Sequence, residues 1–345
     1  AEAEALVDEV GPRPAGSDAE RRAAQHLVGR LEGLGREATI EPFAVWPAWP
    51  LGYTINAAIA VVGSVLSVSS ATLGTGLVLL ATVLTFLDLA GIVPTTRRLL
   101  GRRASQNVVS WGDRERPGAL LLVAHYDSGP TRERPLRPFF WALAALLACC
   151  VLRVGGLSGT ALTVVQFIPT VALIVYVPLL LDIALSPASA GENDNASGVA
   201  LVLRLAERLD FLEDFGVHVL LTGSQKPMAQ GMRAFLKQHR KQFAPDRTAV
   251  INLDEVGSGE VHQTKKEGPL LAVRSHPQLV GLMDAPTLVN RTASDGYAAA
   301  SAGLPSITIT CADNDRLEED AIVRAEEFCV ELIEELEAEL SPPAR

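Results

Sequence analysis

Residues 191 to 198 read GENDNASG and run straight into the apolar stretch VALVLRLAERL. Asp and Asn are good helix caps, so the helix that follows accounts for one of the polar residues Glu192, Asn193, Asp194 and Asn195 and leaves the others without a local purpose. Further polar groups stand at the ends of apolar runs. GALLLVAHYD ends in His125 and Asp127, VHVLLTG is followed by Ser224, Gln225 and Lys226, and TAVINLDEVG carries Asn252 and Asp254 at its end. If these runs are neighbouring parallel strands, imidazole, carboxylate, carboxamide and ammonium groups from four segments converge on one edge of a sheet, where ligands bind in open α/β folds. On residue types alone, Asp194 and Asn195 also serve as plain helix caps and His125 as a packed core histidine. His26, His218, His239, His262 and His276 read as surface or packing residues.

The elements that must position this cluster are legible in the periodicity. Ser17 and Glu20 make a capping box, and Ala24, Leu27, Val28, Leu31 and Leu34 then recur at helical spacing until Gly35. ATIEPFAV, NVVSWGD and GALLLVAHYD read as strands. After them come a helix from about Asn195, a strand VHVLLTG, a helix GMRAFLKQHR, strands TAVINLDEVG and PLLAV, a helix near Pro277 to Asp284, a strand PSITIT and a final acidic helix. That helix is expected to bury Ile322, Phe328, Leu332, Ile333 and Leu336. Apolar strands alternating with amphipathic helices predict an α/β sandwich with a mainly parallel central sheet.

The polar segments 1–48, 104–135 and 187–345 are separated by two apolar insertions, 52–94 and 138–185. From Pro42 through Leu87 there is no charged side chain, and Thr54 to Ala71 and Gly76 to Val93 are each about the length of a bilayer span. Gly74 and Gly76 are expected to form the turn between them. A second pair is predicted at Pro138 to Leu152 and Thr160 to Leu181, with Arg153 snorkelling from the shorter member. Asp88 and Asp182 fall near the ends of these segments and are expected to anchor to the arginine-rich flanks. Those flanks carry Arg97, Arg98, Arg102, Arg103, Arg132, Arg134 and Arg137, against Arg153 alone on the far side. Positive charge stays on the cytoplasmic side, which predicts an integral membrane protein with its polar domain in the cytoplasm and the lipid bilayer as its first partner.

Composition agrees with lipid contact. The hydrophobic fraction is 48% and the mean hydropathy is +0.23. The formal charge of -10, without a basic stripe interleaved with aromatics, argues against nucleic acid as a partner. Cys149, Cys150, Cys311 and Cys329 fit neither a zinc-ligand spacing nor a disulfide framework and are read as reduced thiols. No basic, then apolar, leader opens the chain, and a start without Met suggests trimming.

Taken together, GPRPAGSDAERRAAQHL, AHYDS, GENDNASG, LLTG, NLDEVG and SDGYAAASAGLPSITI resemble metallopeptidase family 28. This family comprises co-catalytic zinc aminopeptidases, with the fold shared by glutaminyl cyclases and by several catalytically silent membrane receptors, and it includes multi-span members. The resemblance implies a three-layer, zinc aminopeptidase-like sandwich with four inserted transmembrane helices. It implies that Asp194 would bridge two zinc ions, that His125 and Asp254 would complete one zinc site, and that Asp127 would orient the histidine. One imidazole and two carboxylates around an open position suit a cation that takes nitrogen and oxygen ligands in a tetrahedron. Glu192, Asn195, Asp295 and Tyr297 are placed around the pocket by the same comparison.

The departures from the family pattern are equally specific. Where the family has two adjacent glutamates, a general base and a ligand to the second zinc, this chain has Gln225 and Lys226. No histidine follows His276, so the final ligand of the pattern, in an HTxxDT-like loop, has no counterpart in TITCADNDRLEEDAI. The Lys226 ammonium is expected to occupy the vacated position and pair with Asp194. One zinc or none is expected, and not a two-zinc centre. The leading expectation is a membrane-embedded pseudopeptidase that binds a protein partner or an apolar small molecule. A mononuclear zinc aminopeptidase at His125, Asp194 and Asp254 is one alternative, and a metal-free cyclase-like or transferase-like catalyst is the other.

Overall fold

The computed structural model describes residues 2–132, 135–209, 212–226, 228–311 and 317–340. The chain divides into two units: Ala1–Val45, Ala104–Gly129 and Ala188–Arg345 form one, and Trp46–Arg103 with Pro130–Pro187 form the other. In chain order, helices α1 (Glu2–Val10) and α2 (Asp18–Gly33) lead to strand β1 (Thr39–Val45), then to the first apolar pair α3 (Trp49–Ser69) and α4 (Ala71–Leu89). Strands β2 (Arg103–Ser110) and β3 (Gly118–His125) precede the second apolar pair α5 (Leu136–Val154) and α6 (Thr160–Leu185). There follow α7 (Gly198–Arg208), β4 (Phe215–Thr222), α8 (Gln230–His239), β5 (Thr248–Leu253), β6 (His262–Glu267) and β7 (Val273–Arg274). The chain continues through α9 (Pro277–Gly281), β8 (Thr287–Asn290), α10 (Asp295–Ser301), β9 (Ser306–Thr310) and α11 (Glu319–Leu340).

The first unit is an α/β sandwich. Its sheet runs β1-β2-β4-β3-β5-β9-β6-β7, with β8 beside β6. The centre, β4-β3-β5-β9, is parallel, while β2 and β6 join it antiparallel. Side chains alternate across the strands. Leu120, Leu122, Val219, Leu221 and Ile251 pack under α1, α2, α7 and α11, whereas Leu121, Val123, Leu220 and Val250 pack under α8 and α10. Ile322, Leu332, Ile333 and Leu336 of α11 are buried and Phe328 is partly so.

Strand order also creates the crevice. From β3 the chain goes to β4 on one side of it and then to β5 on the other, so the loops after these strands diverge at the carboxyl end of β3.

Two expectations need correction. PLLAV is not a strand: β6 lies earlier, in HQTKKE, and only Val273–Arg274 continues as a short antiparallel partner. β6 gains its ladder from β9 and β8, and that pairing outweighs its charged composition, whereas Leu271 is left exposed. The glycines expected to turn between the first two apolar helices lie inside α4, and the break falls at Ser70. A Cβ on Gly74 would come within 2.4 Å of the Ser67 backbone, so this glycine serves close approach of α3 and α4.

In the second unit, α3 to α6 are each long and apolar enough to cross a membrane. Outward residues such as Val65, Phe167 and Ile168 are exposed by 65%, 66% and 69%, and polar side chains are turned inward. Asn56 Nδ2 donates to Thr85 Oγ1 at 3.1 Å, and Gln166 Nε2 donates to Ser64 Oγ and Ser67 Oγ, both at 2.9 Å. Arg97 pairs with Asp88 at 2.9 Å, both buried, and Arg132 pairs with Asp182. Arg153 donates through Nε to Gln166 Oε1 at 2.6 Å and through Nη2 to Thr163 Oγ1 at 2.8 Å, so its head is held by α6. Arg134 lies outside the described residues.

Candidate metal centre

The loop GENDNASG is shaped by its two asparagines. Asn193 Oδ1 accepts from Gly257 N at 2.7 Å, while Asn195 Nδ2 donates to Leu253 O at 2.8 Å and Asn195 Oδ1 accepts from Glu255 N at 2.9 Å. Both amides are thereby spent on the loop after β5, and Asp194 between them is left to present its carboxylate. Gly198 allows the contact, because a Cβ there would lie 2.4 Å from Asn195 Oδ1 and 2.5 Å from Leu253 O.

His125 ends β3 and is buried. Its Nδ1 donates to the Asp127 carbonyl at 3.1 Å and lies 3.4 Å from Asp127 Oδ1, which sets the ring so that Nε2 faces the carboxylates. Nε2 is 3.1 Å from Asp194 Oδ1 and 3.3 Å from Asp254 Oδ1. Neither Nε2 nor Asp194 Oδ1 has a hydrogen-bond partner although both are buried. The three candidate donor atoms lie within 4.8 Å of one another. Ligands bonded at about 2.0–2.1 Å in a tetrahedron stand about 3.3 Å apart, so the separations around Nε2 and the two orphaned atoms fit one zinc ion.

The β4 side is different. Lys226 donates its ammonium to Asp194 Oδ2. Burial opposes ionisation of Asp194, but the carboxylate is held well below its ordinary range, chiefly by the charge of Lys226. An ammonium offers no lone pair, and the neighbouring Gln225 offers a neutral amide, so this donor set does not fit a second ion. Gln225 is buried, and its backbone N–H donates to Asp127 Oδ1 at 2.9 Å, which ties the loops after β3 and β4 together. The segment compared with the final ligand loop includes residues 312–316, outside the described residues.

Of the residues placed around the pocket, Glu192 is exposed and Asn195 is buried and saturated by backbone. Asp295 is buried at the start of α10, takes a hydrogen bond from Thr222 Oγ1 at 2.5 Å, and is pushed up to about 7 by burial. Tyr297 packs with Met228 and Ala293.

The parts that Arg13, Glu20 and Glu255 play at the site were not foreseen from the sequence. Arg13, fully buried, donates to Tyr126 O at 2.8 Å, Ala190 O at 3.0 Å and Gly191 O at 3.1 Å, which clamps the loops that carry Asp127 and Asp194. Its local signal was only the GPRP ahead of α2. Only half of the expected capping box forms, because Ser17 N donates to Pro14 O while Glu20 turns elsewhere: Oε2 accepts from Gly16 N at 2.7 Å, and Oε1 accepts from Ser105 Oγ at 2.8 Å and Ser224 N at 3.0 Å. Burial, with the nearby Asp127, pushes its carboxyl up to about 8. Glu255 adjoins Asp254 with a positive φ of 56°, and burial plus Asp194 and Asp254 push it up to about 8. The doubled acid in NLDEVG was its signal.

Comparison with known proteins follows the same lines. The model of peptidase family M28 matches residues 107–320. A zinc aminopeptidase from Bacillus subtilis superposes with a TM-score of 0.57 at 13% identity, covering 99% of this chain and 95% of that one. Fimbriiglobus ruber glutaminyl cyclase gives 0.54 at 15% identity, with 97% and 93% covered. An aminopeptidase from Aneurinibacillus sp. strain AM-1 gives 0.53 at 13%, with 96% and 93% covered. At these identities the likeness is one of fold. None of the curated proteins matches the chain in sequence.

Proposed function

The chain belongs to peptidase family M28, and on that premise we propose that it is a membrane-anchored pseudopeptidase, a binding or scaffold protein that keeps the peptidase fold without two-zinc hydrolysis. The observation that carries this reading is the Lys226 ammonium on Asp194 Oδ2, where a second ion would need an anion. Gln225 adds to it, since an amide at the general-base position takes no proton from water at neutral pH. The pocket then binds a protein partner or an apolar small molecule, with the lipid bilayer around α3 to α6. The arginines at 97, 98, 102, 103, 132 and 137 favour a cytoplasmic placement of the polar unit, since Arg153 is the single basic side chain at the opposite ends of the apolar helices.

A second reading has its own support. The orphaned His125 Nε2 and Asp194 Oδ1 suit one zinc held with Asp254. Such an ion supplies Lewis acidity toward a bound carbonyl or water. The chain's own part would be to orient that ligand through His125 and Asp127, but without a general base about 10²- to 10⁴-fold in rate is forfeited. A third reading, a metal-free catalyst of cyclase or transferase type, rests on the glutaminyl cyclase likeness, an analogy of fold.

The deciding experiment is zinc content by elemental analysis of the detergent-purified protein and of His125→Ala, together with hydrolysis of aminoacyl p-nitroanilides. The expected result is no more than one zinc per chain, lost in the variant, and hydrolysis at background. Two zinc ions per chain, or turnover that disappears with His125, would overturn the pseudopeptidase.

A further inference from the structure

At the opposite end of the strands that carry His125 and Asp254 lies a cavity of about 270 Å³, lined by Trp111, Arg114, Arg116, His218, Phe243 and Thr248 among others. Gly118, the first residue of β3, also lines it, and His125 is the last residue of that strand. At the rise of a β-strand the two sites stand roughly 23 Å apart, so the cavity is separate from the candidate metal centre.

Its cations are set in place. The Arg114 guanidinium lies over Trp111 at 4.0 Å from the ring centre. Trp111 is itself stacked against Phe235 and Phe243, with centroids 5.9 and 6.2 Å away, so the arginine rests on a packed platform. Arg116 is oriented by Glu213 O at 2.7 Å and by Asp113 at 3.2 Å. Arg247 has Asp246 at 3.8 Å, with both side chains largely exposed. Among the described residues no carboxylate pairs with Arg114. Three guanidiniums thus line the cavity; Asp113 pairs with Arg116 and Asp246 with Arg247, which leaves Arg114 as the lining guanidinium without a carboxylate among the described residues.

Two further groups are suited to a ligand. Thr248 is buried and its hydroxyl has no hydrogen-bond partner. An unmade hydrogen bond of this kind is costly unless something else completes it. His218 Nδ1 accepts from Gly112 N at 3.0 Å, which leaves the ring proton on Nε2 as a donor. Burial first, and then Arg114 and Arg36, push His218 down to about 4, so its ring stays neutral beside the guanidiniums. Phe243 and Pro117 supply an apolar wall.

We propose that this cavity is a binding site for a small phosphate monoester carrying a single ring, its dianion held by Arg114, Arg116 and Arg247 and its ring against Phe243 and Pro117. Guanidinium forks match phosphate oxygens bidentately. The volume of about 270 Å³ falls just below the usual span of small-molecule sites, about 300–1,000 Å³, which suits a ring and one phosphate rather than a peptide or an acyl chain.

Titration calorimetry on the full chain in detergent, with a chelator present to keep metal out of the readout, tests this with phenyl phosphate and inorganic phosphate. Phenyl phosphate is expected to bind one per chain and more tightly than inorganic phosphate, and Arg114→Gln is expected to weaken it at least about tenfold. Thr248→Val is expected to weaken it severalfold while leaving the melting temperature unchanged or higher, because the hydroxyl it removes has no protein partner. No saturation up to about 10 mM overturns the proposal. So does equal binding of the two probes, or binding undiminished in an Arg114→Gln protein of unchanged melting temperature.

Discussion

The two oxygens of Asp194 meet opposite surroundings. Oδ1 lies 3.1 Å from His125 Nε2, buried and without a hydrogen-bond partner, while Oδ2 accepts from the Lys226 ammonium. On the first side, built by the ends of β3 and β5, lone pairs converge and ask for a cation. On the second, built by the loop after β4, the chain supplies the cation itself. One carboxylate therefore shows both how a metal position is kept and how one is replaced: a fixed ammonium offsets clustered acidic charge, but it leaves no open coordination site for substrate or water.

The largest test of that contrast is Lys226→Ala. Removing one partner of a fully buried pair costs about 3–5 kcal/mol. The side chains of Lys226 and Asp194 keep 20% and 24% of their surface exposed, so a loss of about 2 kcal/mol is expected after allowing for solvent screening. Thermal unfolding should show it, and added zinc should raise the melting temperature of the variant more than that of the parent, since Oδ2 is released. A change within about 0.5 kcal/mol would mean that the ammonium does not stand in for an ion.

Asp127→Asn sharpens the metal-holding side. Outer partners of a ligating histidine typically contribute about 10- to 100-fold in metal affinity, and a loss near the lower limit is expected in a competition titration with a zinc chelator. Unchanged affinity would show that the Asp127 carbonyl, 3.1 Å from Nδ1, orients the ring unaided.

A pH test falls on Glu20, which braces the β4 loop through Ser224. Burial places its folded carboxyl at about 8, above the ordinary 4.5. Its contribution to stability is therefore whole below that ordinary value and is lost as pH rises through about 8. Between these limits the melting temperature should fall with pH more steeply in the parent than in Glu20→Gln. Parallel pH profiles would show that the carboxyl is ionised throughout.

Much of this was open to a reading of the chain. The strand ends that carry His125, Asp127 and Asp254, the cap formed by Ser17 on Glu20 N, and the inward face of α11 all follow from spacing. The readings that failed share a cause. PLLAV has the composition of a strand and HQTKKE does not, yet a ladder needs neighbours, and β9 and β8 stand beside the second. Gly74 has the signature of a turn, but the approach of another helix gave it a different use. Arg13 showed no pattern because its acceptors are backbone carbonyls up to 178 residues away.

By itself the sequence determined which chemical groups the site could contain: an imidazole and carboxylates at the ends of two strands, and at the end of a third an amide and an ammonium, which as a cation offers a metal no lone pair. Only the tertiary structure decided how those groups are spent. Asn193 and Asn195 bond to residues 64 and 58 positions away, and the two oxygens of Asp194 are divided between His125 and Lys226. Spacing along a chain encodes which face of a helix or strand a residue occupies, but the direction in which a buried polar atom finds its partner is set by whichever strands the sheet brings alongside it.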